Sequence, residues 1–166
     1  MMLTPTSETE AAWIGSAHLV ARLRACTSSS AASAALAHGA HTVTGGLGGL
    51  GLRAAVLLVD RDTSHLLLGS RSGRVVRDGQ GLASQLQSMG TFAIVSACDS
   101  AAADDMNALV IPSHLTGVLH AAGVGDKGLL VQLEAQRIEW MSASKALGAW
   151  HLQCATAAAP LEARVA

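Results

Sequence analysis

From residue 41 onward the chain alternates short apolar runs with longer stretches in which large apolar side chains recur at helical spacing. The short runs predict four strands, His41–Thr44, His65–Leu68, Thr91–Ala97 and Gly117–His120. The longer stretches predict helices over Leu50–Val59, Gly81–Met89, Ala101–Leu109 and Leu133–Ala155. Strands separated by helices indicate repeated βα units, hence an α/β fold: a partial Rossmann-like, doubly wound parallel sheet with flanking helices. Right-handed crossovers put the strands in the order 3-2-1-4, with a ligand crevice at the reversal between strands 1 and 4.

The first 40 residues have a different character. Ser7 to Glu10 reads S-E-T-E, a capping box, and Trp13, Ala17, Val20 and Leu23 follow at helical spacing. A helix from Glu8 to Cys26 is expected, followed by an Ala/Ser-rich linker to Ala40. Residues 1–40 are thus read as an N-terminal helix and linker, 41–155 as the organised domain and 156–166 as a tail. In that arrangement strand Gly117–His120 lies at an open edge without proline or charge, which predicts self-association or pairing with a complementary chain. The counter-expectation is that Gln153 to Ala166, or the N-terminal helix, covers that edge.

Composition narrows the picture. The chain is 50% hydrophobic with only 14% charged residues, which suits strands buried on both faces. A net charge of −1 without a basic block leaves no electrostatic footprint for nucleic acid or an anionic membrane. No apolar run approaches the roughly 20 residues of a bilayer span. Cys26, Cys98 and Cys154 form neither a paired framework nor a zinc pattern, so no metal site is expected and a cytoplasmic, reducing setting fits. The Ala/Ser-rich start with Arg22 and Arg24 leaves organelle targeting open, although Glu8 and Glu10 oppose it. The chain contains no tyrosine, so any mechanism needing a phenol as proton donor is not completed from its residues.

The chemistry-bearing residues sit where predicted strands end. Thr44 to Gly51 reads T-G-G-L-G-G-L-G, and Gly46, Gly48 and Gly51 match G-x-G-x-x-G between a strand and a helix. Such a turn, here Thr44, Gly46, Leu47, Gly48, Gly49, Leu50 and Gly51, brings backbone N–H groups to a dinucleotide pyrophosphate. About 20 residues on, where an acidic side chain would bind the ribose of NAD, stands Arg71 in G-S-R-S-G. Its guanidinium suits the 2′-phosphate of NADP(H), with Ser70 or Ser72 as hydroxyl donors. Strand 3 ends at Ala97-Cys98-Asp99, where Asp99 is a candidate acceptor for an adenine amino group or a helix cap. Strand 4 runs into His120-Ala121-Ala122-Gly123, small residues against which a cofactor could lie, with His120 read as structural. Lys145, Ser142 and Ser144 read locally as helix-surface groups, and Trp140, Leu147 and Trp150 as core or interface residues.

Taken in order, T-V-T-G-G-L-G-G-L-G-L, S-R-S-G, A-C-D, G-V-L-H-A-A-G-V and K-A-L-G-A-W-H-L resemble the ketoreductase domains of modular polyketide synthases, of the short-chain dehydrogenase/reductase superfamily, over residues 41 to 155. The resemblance implies NADPH-dependent reduction of a β-ketoacyl thioester borne by an acyl carrier protein. It assigns Lys145, in K-x-x-G-A-x-x-L, a catalytic role in a proton relay beside a tyrosine phenol. The family's serine and tyrosine are expected beyond this helix, so the chain is expected to be inactive alone. The alternative is a non-catalytic NADP(H)-binding or assembly module. Val124-Gly125-Asp126-Lys127 departs from the Leu-Asp-Asp found in one stereochemical class, which leaves no stereochemical assignment.

Overall fold

The computed structural model describes residues 11–20, 39–76, 81–90, 93–110, 115–125, 128, 131 and 133–165. The organised part opens with strand β3, Ala40–Thr44, followed by helix α1 at Gly49–Val59 and strand β4 at His65–Ser70. Helix α2 at Leu82–Ser88, strand β5 at Ala93–Ala97, helix α3 at Ala103–Val110 and strand β6 at Leu115–His120 continue the alternation. The next crossover carries one continuous helical run, α4 at Ala135–Ser142, a π-turn at Ala143–Leu147 and α5 at Gly148–Ala155, before strand β7 at Ala163–Val165. Preceding all of these are strands β1, Ala11–Ile14, and β2, Ala17–Val20.

The five-stranded sheet runs β5-β4-β3-β6-β7, every pair parallel. Its first four members are the four expected strands in the expected 3-2-1-4 order. Alternation along the strands feeds a core on each face. Val43, Leu66 and Leu68 pack with Leu52 and Ala55 of α1 and Leu82 of α2, whereas Leu115 and Val118 pack with Met106 and Leu109 of α3 and Leu152 of α5. Helices on both faces make the sheet doubly wound.

Two expectations are corrected. Residues 11–20 form not a helix but an antiparallel hairpin, with Ile14 opposite Ala17 across the two-residue turn Gly15–Ser16. Gly15 adopts φ +60°, a conformation a helix cannot use, and Gly-Ser between Ile14 and Ala17 is itself a hairpin signal that the capping-box pattern outweighed. The other parts of that predicted helix, residues 8–10 and 21–26, lie outside the described residues.

Nor is the fourth predicted strand an edge. β7 pairs with it, Gly117 opposite Ala163, Val118 opposite Arg164 and Leu119 opposite Val165, so residues 156–166 are not merely a tail. The segment from Gln153 onward takes the covering role of the counter-expectation, by extending the sheet. Arg164 secures this return by donating to Gln153 and to the carbonyl oxygen of Thr156, which ties β7 to the end of α5. Thr156, fully buried, bonds back to Leu152 O at 2.7 Å and closes the helix.

With β6 between β3 and β7, its central amides are internal ladder donors. In native-state hydrogen exchange, Gly117 to Leu119 should therefore be among the slowly exchanging amides, and those of β7, at the new edge, should exchange faster.

Candidate functional site

The turn after β3 is built by glycines with different physical duties. Gly45 has φ +66°, and a Cβ there would stand 2.5 Å from Ala121 O and 2.6 Å from the Ala122 Cα, so its bare backbone lies directly on the chain leaving β6. A Cβ on Gly51 would stand 2.4 Å from Gly45 O, which lets α1 start against the turn. Gly46 is pressed similarly between Val43 and Leu68. Gly49 differs: a Cβ there would meet nothing within 4 Å, and the residue lines an open cleft. The protein's own packing does not require a glycine at that position.

Gly48 caps α1, and the first amide satisfied from within the helix is Leu52 N–H, on Gly48 O at 2.9 Å. The N–H groups of Gly49, Leu50 and Gly51, in the first turn, precede that bond and are oriented out of the helix end, favourable for an anion. The cleft beside them, about 620 Å³, lies over the C-terminal ends of β5, β4, β3 and β6, at the point where the strand order reverses.

Of the residues singled out from sequence, Thr44, Leu47, Gly48, Gly49, Ser70, Arg71, Cys98, Ala121, Ala122 and Gly123 line this cleft. Gly46 and Gly51 stand behind it and shape the turn, and Leu50 is 80% exposed on the first turn of α1. Asp99 is not among the lining residues: its carboxylate accepts from Ala101 N–H at 3.0 Å, and its own N–H donates to Asp105 at 2.8 Å, so it closes the turn before α3. Lys145 is exposed on the π-turn, its Cε 3.1 Å from the Cβ position of Gly123, which places the stem beside the cleft wall.

His120 is the hinge of a small network. The Thr44 hydroxyl donates to its Nδ1 at 2.6 Å, and its Nε2 faces the carbonyl oxygens of Ser144 at 3.0 Å and Lys145 at 3.2 Å. Carbonyls only accept, so these partners assign the proton to Nε2.

Several lining residues were missed as such, or read in another role, from sequence. Arg74 joins Arg71 at the β4 end, and no lining residue among those described is acidic. Ser144 is buried rather than on the helix surface, and with Ser100 lines the wall beneath Lys145. Trp140 lines the cleft from α4 while remaining 51% exposed, whereas Leu147 and Trp150 face outward instead of joining the core. The spacing of Arg74, three residues from Arg71 across a turn, was a readable clue. The positions of Ser100 and Ser144 required the crossover.

Ser70 contributes a buried hydroxyl with no hydrogen-bond partner, at the cleft and next to Arg71. An orphaned donor beside two guanidinium groups and an open helix end fits a phosphorylated nucleotide. Cys98 is less reactive than its place in the wall suggests: burial, then the charges of Asp105 and Asp99, push its thiol up to about 11, and its sulfur lies 3.7 Å from that of Met106. The thiol is therefore neutral and packs as an apolar side chain.

Comparison with known proteins places this arrangement. Residues 39–166 match the family model described as KR domain. The chain is 38% identical over 118 residues to the erythronolide synthase EryA2 of Saccharopolyspora erythraea, an alignment covering 69% of this chain and 3% of that protein. Among solved structures, an A1-type ketoreductase superposes with a TM-score of 0.73 at 31% identity, covering 95% of this chain and 34% of that one. A structure of A-type ketoreductases from a modular polyketide synthase gives 0.67 at 33% identity, covering 77% and 28%. This chain thus spans a small part of the length of each relative.

The unequal duties of the glycines are testable by denaturation. Gly45→Ala, which combines left-handed backbone with a backbone collision, should lower stability by about 2 kcal/mol or more. Gly49→Ala should leave it within about 1 kcal/mol of the parent, since the added methyl meets open space in a helical position.

Proposed function

The chain belongs to the KR domain family, the ketoreductases of polyketide synthases within the short-chain dehydrogenase/reductase superfamily, and on that premise we propose that it forms the NADP(H)-binding portion of a β-ketoacyl thioester reductase. The observation that carries the reading is the joint placement of Arg71 and Arg74 on the cleft that also receives the open N-terminus of α1, without a described carboxylate on its wall. A carboxylate there would favour the free ribose hydroxyls of NAD, whereas paired guanidinium groups favour a 2′-phosphate.

In this reading the amides of Gly49, Leu50 and Gly51 orient the pyrophosphate, and Gly49 leaves the room for it. Arg71, Arg74 and the Ser70 hydroxyl hold the 2′-phosphate. Ala121, Ala122 and Gly123 present a nearly bare backbone along which the nucleotide extends toward β6 and the π-turn. When bound, the nicotinamide supplies the hydride for the β-carbonyl of an acyl carrier protein-linked substrate. Lys145 stands at that end, where an ammonium group would organise the relay that delivers the proton. The phenol that gives the proton in the family has no counterpart among the residues of this chain, which include no tyrosine. A second reading is that the chain binds NADP(H) without reducing a substrate and serves as an assembly module.

Calorimetric titration of NADPH and NADH tests the cofactor assignment. The parent should bind NADPH the more tightly, and Arg71→Ala should weaken NADPH by about tenfold to a hundredfold while changing NADH little, as expected for loss of a charged hydrogen bond. Equal affinities for the two nucleotides, or an unchanged preference in the variant, would refute it. A second outcome concerns turnover: the chain, mixed with NADPH and a β-ketoacyl thioester, should yield no hydroxyacyl product above the uncatalysed rate. Product formation matched to NADPH consumption would show that a proton donor other than tyrosine operates.

A further inference from the structure

The π-turn at Ala143–Leu147 is held from outside the helix, by contacts that no helix propensity accounts for. Widening a helix to i→i+5 bonding shifts carbonyl groups out of their usual ladder, and such turns persist where other donors meet those carbonyls. Here the donors are side chains of the sheet's C-terminal edge. Ser144 O accepts from Ser100 Oγ at 3.3 Å and from His120 Nε2 at 3.0 Å, and Lys145 O stands 3.2 Å from the same nitrogen. Gly148 makes the approach feasible, because a Cβ there would lie 2.9 Å from Ser100 Oγ and 3.0 Å from His120 Cε1. The opposite edge of the His120 ring receives the Thr44 hydroxyl, at the last residue of β3 before the glycine turn.

We propose that His120 is a positioning residue that couples the nucleotide-binding turn to the helix carrying Lys145, through a fixed Nε2–H tautomer bonded to the Ser144 and Lys145 carbonyls and an Nδ1 bonded to Thr44. Among the described residues no side chain fixes the Lys145 ammonium; its backbone carbonyl is gripped, and its stem lies over Gly123. Movement of Thr44 when a nucleotide occupies the turn is therefore transmitted across a single imidazole to the residue at the reacting end. The importance given to Lys145 rests on the ketoreductase reading above, whereas the coupling of turn to helix does not.

The two ring nitrogens can be separated by substitution in the full chain. His120→Gln keeps a donor at the reach of Nε2 and so retains the bond to the helix; His120→Asn keeps a group near Nδ1 but falls short of the helix. In native-state hydrogen exchange without nucleotide, the amides of residues 144–149 should exchange about five- to tenfold faster in the Asn variant, the change expected for one lost hydrogen bond, and within about twofold of the parent in the Gln variant. Saturating NADPH should slow those same amides in the parent and leave them nearly unchanged in both variants, because Gln forfeits the Thr44 bond and Asn the helix bond, a loss that a purely structural role of the helix bond would not produce in the Gln variant. Nitrogen-15 spectra of the parent should show the His120 proton on Nε2. A proton on Nδ1, unchanged exchange in the Asn variant, or parent-like nucleotide protection in either variant would overturn the proposal. A parent chain that binds no NADPH would instead refute the ketoreductase reading, and the exchange comparison without nucleotide would still decide the coupling.

Discussion

Where β3 and β6 end side by side, the two chains continue toward each other instead of diverging. Ala121 N–H donates to Thr44 O at 2.9 Å, prolonging the parallel pairing one residue beyond the strands, and Gly45 then turns with φ +66° directly over Ala121 and Ala122. No side chain fits in that contact. Because the turn is so close to β6, α1 begins immediately, with Gly51 tucked under Gly45, and its N-terminal amides open onto the cleft at the ends of the strands. The crevice at the sheet's reversal follows from this one backbone contact. The side chains of β4 and of the β6–β7 crossover furnish its chemistry without having to create its shape.

The chemistry is distributed along that crevice in one direction. At the β4 end stand two guanidinium groups and an unpartnered hydroxyl; in the middle are the amides of α1; at the β6 end are small residues, Trp140 and the π-turn. Carboxylates nearby are diverted into structure, Asp99 and Asp105 closing the turn that starts α3. The same two charges add to burial in keeping the Cys98 thiol protonated, so a cysteine in the cleft wall adds no reactive sulfur. A chain with net charge −1 thereby presents a locally cationic site, which suits an anionic small molecule better than an extended polyanion.

The crossover from β6 to β7 does two jobs that its amphipathic pattern does not announce. It buries Leu152 against the sheet while leaving Leu147 and Trp150 outward, and it opens into a π-turn where Gly148 lies against Ser100 and His120. Lys145 and Gly148 are near neighbours on the crossover, whereas Ser100 and His120 come from distant segments, and both side chains meet the crossover's backbone carbonyls in one network of hydrogen bonds. Arg164 then anchors the returning strand to the helix end, so the last parallel strand is tied to the same element that carries Lys145.

Periodicity and turn chemistry alone determined a large share of this protein: four parallel strands, the intervening helices, the 3-2-1-4 order and a glycine turn facing Arg71 are local patterns joined by the right-handed crossover rule. The family resemblance added Lys145, which by itself reads as a solvated helix residue. What the sequence did not disclose depends on contacts between distant segments. Which glycines are obligatory was decided by Ala121 and Ala122, some 76 residues from Gly45 on, so the G-x-G-x-x-G reading passed over Gly45 itself. The strand at Ala163–Val165 is only three residues long, too short for a periodic signal, and exists because β6 offers it a ladder and Arg164 a tether. The hairpin at Ala11–Val20 shows the converse: the helical spacing of Trp13, Ala17 and Val20 was overridden by a turn with a left-handed glycine. The partners of His120 come from β3 and the crossover, and only tertiary packing could choose them, because a hydrogen bond is set by distance and direction in space and not by spacing along the chain.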